Sequence, residues 1–271
     1  MPELPEVETV RSILLPYIVG QKIMTTTISL PKVVANLQPN IFSDKLQGQT
    51  ITQFTRRGKF LTLHLDSGAS VVIHFRMTGT LTVENAQTPL EKHTNLRLTF
   101  ANGQELRYVD ARGFGHWWYF EPGVQDTSGQ QLLGPEPDAV TFAYLQQKLT
   151  KRQAPLKSLL LDQHIIAGIG NIYADEICFR TQIKPTRPGN TLTTAELKRL
   201  VTAIPQVIHE FIHIHRVPFS DFINSKGKSY QKSTNRLVYG RAGKPCQKCG
   251  HPLIGTRIGQ RSSVFCEHCQ K

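Results

Sequence analysis

The stretch QLLGPEPDAV, residues 131–140, carries Gly134, Pro135, Glu136 and Pro137 in succession and parts two lengths of chain with different hydrophobic periods. Two prolines so close together suit neither a helix interior nor a central strand, because each removes a backbone donor and fixes φ. Residues 134–140 are therefore expected to form a hinge. Before it, apolar and β-branched side chains recur in short runs: Thr50–Thr55, Phe60–Asp66, Ser70–Phe75, Asn95–Phe100, Glu105–Asp110 and His116–Phe120. Asp66-Ser67-Gly68 and Ala101-Asn102-Gly103 punctuate them as hairpin loops. One helix leads them, with Val7, Val10, Leu14 and Tyr17 on one face, Pro5 in its first turn, and Glu6 and Glu8 near the positive end of its dipole. Residues 1–133 thus read as a leading helix and an antiparallel β-sandwich.

After the hinge the period turns helical, which makes the expected fold class α+β. Thr193-Thr194-Ala195-Glu196 is a capping box, and Leu197, Leu200, Val201, Ile204, Val207, Ile208 and Phe211 follow at helical spacing, with a kink expected at Pro205. Leu156–Leu161 and Ala174–Phe179 flank IIAGIGNIY (165–173), two apolar helices joined through a glycine-containing turn. That element occurs in DNA-binding proteins and in plain helical pairs alike. A helical domain over 141–240 and a small cysteine-bearing domain over 241–271 complete the division.

Five cysteines divide as one plus four. Cys178 lies alone in an apolar helical stretch and reads as a buried, inert thiol. Cys246, Cys249, Cys266 and Cys269 form two Cys-x-x-Cys pairs separated by sixteen residues, the spacing of a zinc ribbon. Four thiolates close the metal's shell and leave no position for substrate, so the zinc is expected to be single and structural. Two disulfides fit less well, since no export signal is apparent. The chain also has no run of about 18 apolar residues, and the expected location is cytoplasmic and nucleoid-associated.

The formal net charge of +12 is uneven: residues 1–140 hold 12 basic and 13 acidic side chains, and residues 141–271 hold 20 and 7. Lys226 to Arg261 contains nine Lys or Arg and no acid. A solvated surface would explain such a run, but its Gly, Tyr, Asn and Ser, which approach phosphates closely, favour a polyanion such as nucleic acid.

The first residues, MPELPEVETV, raise a chemical possibility beside the helix start. Removal of Met1 would leave Pro2 with a free secondary amine. An α-amine has a pKa of about 8, against about 10.4 for lysine, so far more of it is available as a nucleophile. Attack on a sugar aldehyde carbon gives a cationic iminium, an electron sink that permits phosphate elimination, and Glu3 and Glu6 stand ready to move protons. RRGK (56–59) presents Lys59 at a glycine hairpin tip. HFRMTG (74–79) offers His74, Arg76 and Met77, and DARGFG (110–115) sets Arg112 and Phe114 two residues apart. Met77 and Phe114 could be core residues and Arg112 could pair with Asp110. Together they resemble the apolar and cationic fillers of an emptied base stack.

PELPEVET, Lys59 after glycine, the HFRMTG and RGFG loops, LGPEP, AGIGNIYADE (167–176), VYGR (238–241) and the cysteine ribbon with Arg261 occur in an order that resembles formamidopyrimidine-DNA glycosylase from end to end. The resemblance implies a helix and β-sandwich, a helix-two-turn-helix domain and a zinc finger. It implies a bifunctional glycosylase and abasic-site lyase that removes oxidised purines from double-stranded DNA as a monomer. Pro2 would be the nucleophile on C1′, Glu3 the acid, Glu6 a support and Lys59 a phosphate contact that assists catalysis. Met77, Arg112 and Phe114 would fill the gap left by the flipped lesion; Asn171, His74 and Arg261 would grip phosphates, with Lys157 a further phosphate candidate. KHTN (92–95) departs from the usual KHDH, keeping His93 as a contact and leaving no role expected for Asn95. RGFG drops a basic residue, and GQRSS (259–263) stands for GGRST. A lesion-capping loop falls at about 220–234, with Ser229 and Tyr230 in place of glycine and phenylalanine. Two alternatives remain: an endonuclease VIII-like enzyme for oxidised pyrimidines, which PELP instead of PEGP disfavours, and a damage-binding zinc-ribbon protein that does not cut.

Overall fold

The computed structural model describes residues 1–229 and 235–271, so Tyr230 and the end of the capping loop lie outside the described residues. The chain divides into two compact units: Met1–Gln131 with the described part of His215–Lys232, and Leu132–Ile214 with the described part of Ser233–Lys271.

The first unit begins with α1 (Leu4–Ile18) and holds α2 (Pro39–Leu46), α7 (Phe219–Asn224) and eight strands: β1 (Ile23–Ile28), β2 (Ile51–Arg57), β3 (Phe60–Leu65), β4 (Ser70–His74), β5 (Thr80–Asn85), β6 (Thr94–Phe100), β7 (Gln104–Val109) and β8 (His116–Phe120). Two antiparallel four-stranded sheets run in the orders β1-β6-β7-β5 and β2-β3-β4-β8. Val7 and Leu14 of α1 join Phe54, Leu63, Val71, Leu98 and Trp117 in one buried core, and removal of that apolar surface from water is the main stabilisation.

One boundary differs from the sequence expectation, which assigned 141–240 whole to the helical domain. From His215 onward the described residues belong with the sandwich. The reason is packing: Phe222 is fully buried in the sandwich core, the Phe219 ring stacks on Tyr17 with centroids 3.9 Å apart, and the Thr80 hydroxyl donates to Gly227 O at 3.0 Å.

The second unit contains α3 (Phe142–Leu149), α4 (Leu156–Leu161), α5 (Asn171–Thr181) and α6 (Thr194–Ile214), then the hairpin β9 (Ile254–Ile258) and β10 (Arg261–Phe265). The capping box at α6 forms: Thr193 Oγ1 accepts from Glu196 N at 3.2 Å while Glu196 Oε2 accepts from Thr193 N at 2.8 Å. α6 remains one helix through Pro205. Among the described residues no helix is long and apolar enough to cross a membrane.

Candidate active site and nucleic-acid interface

In the first unit the start of α1 gathers the N-terminal candidates. Glu3 is the N-cap and Glu6 the third helical residue, and they form a capping box of two glutamates: Glu3's side chain accepts from the Glu6 backbone, and Glu6 Oε2 accepts from Glu3 N at 2.8 Å. Pro2 is buried, and Glu3 and Glu6 are only 2% and 3% exposed. Two carboxylates are thus held dry at the first turn of a helix.

The hairpin carrying Lys59 is tied to the same helix. Glu8 accepts from Arg11 and from Arg56 Nε at 2.9 Å, and Arg56 Nη1 donates to Gly58 O at 3.1 Å. Gly58 turns the chain at φ 56, where a side chain would be strained, and Lys59 follows, 8% exposed. Burial opposes the charge on Glu8, but the two guanidiniums outweigh it and hold its carboxyl below the usual range.

His74 ends β4. Burial, with the charges of Arg76, Lys59 and His116, pushes it down to about 3. It is therefore a neutral imidazole whose Nδ1 accepts from Arg76 N at 3.0 Å, which leaves the Nε2 proton as its donor. Met77 is half-buried in the loop that follows. His93 is exposed at a positive φ of 69. Arg112 and Phe114 are both exposed, and the Arg112 guanidinium lies 4.6 Å from the Phe114 ring centre. Arg112 thus sends its side chain to Phe114, and only its backbone N–H reaches Asp110. Asn95, of which nothing was expected, is buried and donates to Asp110 O at 2.8 Å.

In the second unit the turn between α4 and α5 is held by Gln163, which donates to Leu161 O and Ile169 O and accepts from Gly168 N. Asn171 opens α5; its Nδ2 lies 3.4 Å from Ser262 Oγ, and its buried Oδ1 has no hydrogen-bond partner among the described residues. Arg261 is exposed at the start of β10. Lys157, offered by the sequence as a further phosphate candidate, has other partners in the structure. It is wholly buried, paired with Asp175 Oδ1 at 2.8 Å and donating to Ser262 O at 2.6 Å. Asp175 also accepts from Ser263 Oγ at 2.6 Å and Val264 N at 3.0 Å, so the pair fastens β10 to the helices. Its neighbour Glu176 accepts from Leu237, Val238 and Tyr239 N–H. Sequence reasoning missed both roles, although adjacent acids inside the apolar stretch IYADEICF were a signal, since charged side chains are seldom buried unless paired.

The four ribbon sulfurs lie within 4.8 Å of one another, with Cys246 to Cys269 at 4.0 Å and Cys249 to Cys266 at 3.5 Å. Disulfides require about 2.05 Å, whereas a tetrahedron with zinc–sulfur bonds of about 2.3 Å has edges of about 3.8 Å. The donor set and its spacing therefore fit one Zn²⁺, held by Cys246, Cys249, Cys266 and Cys269. Cys178 is separate, and burial pushes its thiol up.

Three family profiles match in succession: the formamidopyrimidine-DNA glycosylase N-terminal domain over residues 1–117, the formamidopyrimidine-DNA glycosylase H2TH domain over 133–221, and the zinc finger found in FPG and IleRS over 243–271. A formamidopyrimidine-DNA glycosylase of Acaryochloris marina is 41% identical, the alignment covering 100% of this chain and 99% of the relative. One from Pelotomaculum thermopropionicum is 39% identical at the same coverage. Among solved structures, Lactococcus lactis FPG in complex with FAPY-dG-containing DNA superposes with a TM-score of 0.87 at 31% identity, covering 99% of this chain and 100% of that one. A MutM complex with carbocyclic 8-oxo-G-containing DNA gives 0.89 at 32% identity, with both chains covered completely. The chain belongs to the formamidopyrimidine-DNA glycosylase family.

Proposed function

We propose that this DNA glycosylase removes oxidised purines, 8-oxoguanine and formamidopyrimidines, from duplex DNA and then cuts the strand at the resulting abasic site. The observation that carries the reading is the pair of dry carboxylates, Glu3 and Glu6, clasped around the helix start beside Pro2. With Met1 removed, the Pro2 nitrogen attacks C1′, the bond from C1′ to the base breaks, and the base departs with a proton. Glu3 protonates the sugar ring oxygen as the ring opens, and nitrogen and C1′ share the double bond of an iminium. Loss of a C2′ proton to a carboxylate expels the 3′ phosphate, and loss of the C4′ proton then expels the 5′ phosphate through the conjugated iminium; water then adds at C1′ and frees the amine. Glu6 holds Glu3 in place, and Lys59 meets phosphate.

His74, Asn171 and Arg261 are the proposed phosphate contacts, with His93 a further contact, and Met77, Arg112 and Phe114 fill the vacated stack. Zn²⁺ gives the finger its fold and takes no part in bond breaking. A second reading, action on oxidised pyrimidines, is favoured by one fact: a Lactococcus lactis FPG of 31% identity and TM-score 0.86 has been solved with oxidised-pyrimidine-containing DNA. Borohydride trapping followed by intact mass and peptide mapping tests the chemistry. An adduct on Pro2 with 8-oxoguanine opposite cytosine supports it; a folded, DNA-binding protein without Met1 that forms no adduct on an abasic duplex refutes it. Release rates from paired purine and pyrimidine lesions separate the two substrate readings.

A further inference from the structure

One buried aspartate is bonded to each of the three loops that carry Met77, His93 and the Arg112–Phe114 pair, to the first and last through its carboxylate and to the His93 loop through its backbone. Asp110 follows β7 and is 1% exposed. Its Oδ1 accepts from the Thr78 hydroxyl and from Arg112 N at 3.2 Å. Its Oδ2 accepts from Phe114 N and Gly115 N, each at 2.9 Å, and from Tyr108 Oη at 3.2 Å. Its own N–H donates to His93 O at 3.0 Å, and its carbonyl accepts from the Asn95 amide at 2.8 Å. Thr78 closes the figure, its Oγ1 accepting from Arg112 N at 3.2 Å.

A turn cap alone would use one or two of these bonds, all local. Asp110 takes five through its side chain, and the Thr78 bond spans 32 residues. No room is left for a substitute arrangement: a methyl group at Gly115 would stand 1.7 Å from Tyr108 Oη, and one at Gly79 would stand 2.5 Å from it. Asparagine has the same shape but offers one acceptor oxygen and turns an NH₂ toward donors.

We propose that Asp110 is the positioning residue for base extrusion, its carboxylate fixing where Arg112 and Phe114, and through Thr78 also Met77, stand when the lesion leaves the stack. The proposal rests on the reading of those three side chains as gap fillers. It separates two steps of the reaction. Excision requires a base to be driven out of the duplex and the gap filled, whereas an abasic site has no base to displace.

The test compares Asp110→Asn, Thr78→Val and Phe114→Ala on two duplexes, one with 8-oxoguanine opposite cytosine and one with a preformed abasic site. Single-turnover strand cleavage is measured on both, and fluorescence of 2-aminopurine placed beside the lesion reports unstacking. For Asp110→Asn the expected result is a fall of about 10²-fold in excision, the scale of a misplacement near 1 Å, together with loss of the 2-aminopurine signal and nearly unchanged abasic cleavage. Thr78→Val, which removes one of the five bonds, should lower the same ratio less. Equal losses on both duplexes by a folded Asp110→Asn, or no loss on either, would overturn the proposal. If Asp110→Asn does not fold, Thr78→Val decides, and an unchanged ratio overturns it. Phe114→Ala tells the two failures apart: intact excision there removes the gap-filling reading itself, while impaired excision there beside an unaffected Asp110→Asn removes only the positioning role.

Discussion

Replacing Lys157 with methionine isolates the electrostatic part of the Lys157–Asp175 contact, because methionine keeps an apolar stem of similar reach and discards the charge. Both side chains are fully buried. Removing one partner of such a pair costs about 3–5 kcal/mol, since the other charge is stranded away from water. Two facts set the position within that range. Asp175 keeps two donors, Ser263 Oγ and Val264 N, which pulls the loss toward the lower end; Ser262 O loses its donor, which adds about 1 kcal/mol. A destabilisation of about 3–4 kcal/mol is expected near neutral pH. Its pH dependence has a definite sign. Burial pushes the Asp175 carboxyl above its ordinary range even with Lys157 beside it, and without Lys157 it must rise further. A carboxyl whose folded pKa exceeds its unfolded value binds its proton first in the folded state, so the deficit is full above the folded pKa and shrinks as pH falls. Urea unfolding at about pH 5 and about pH 8 measures both. Far-UV circular dichroism follows the helices, and since Trp117 and Trp118 both lie in the first unit, tryptophan fluorescence reports that unit separately. A loss below about 0.5 kcal/mol, the scale of an ordinary surface substitution, or a loss independent of pH, would refute the argument.

Other outcomes follow from particular side chains. His74, held at about 3 against an ordinary 6.5, is neutral when folded and takes a proton first when unfolded; stability should fall by about 1.4 kcal/mol per pH unit as pH drops from 6.5 toward 3. His74→Gln should flatten that acid limb in melts followed by tryptophan fluorescence. Glu176→Gln replaces a carboxylate that accepts from Leu237, Val238 and Tyr239 N–H; a loss of about 1–3 kcal/mol and faster hydrogen exchange at those amides are expected. Chelation should release one Zn²⁺ per chain, measurable with a colorimetric dye, and unfold the β9–β10 hairpin while leaving the tryptophan signal unchanged. Arg261→Ala should weaken binding to damaged and intact duplex alike and lower the salt slope by about 0.9, and a loss confined to one lesion would contradict a phosphate contact.

The six strands read from alternation all formed, because their turns announce themselves through Asp66-Ser67-Gly68 and Ala101-Asn102-Gly103. β1 and β5 escaped notice. In β1 the run Met24-Thr25-Thr26-Thr27 lies at a sheet edge, where burial imposes little alternation. In β5, Thr80 and Thr82, on the face opposite Leu81 and Val83, are buried as well, so both faces are covered and the polar half of the pattern misleads. The packing of α7 against the sandwich was not legible, because sequence proximity cannot show that Phe222 fills that core. The cysteine spacing was legible since metal geometry constrains it locally. The pairing of Lys157 was not legible for the opposite reason: what decides it is Asp175, eighteen positions away, and a lysine that will be buried looks in sequence like one that will meet solvent.

Phe114 is 46% exposed, yet its face is covered by the Arg112 guanidinium. A solvent-facing pair of this kind is worth about 0.5–1 kcal/mol, only one or two times thermal energy. Only the aromatic face is covered, and uncovering it is a matter of moving one exposed side chain. If Phe114 fills the vacated stack as proposed, the contact that covers its face is given up at a cost near thermal energy.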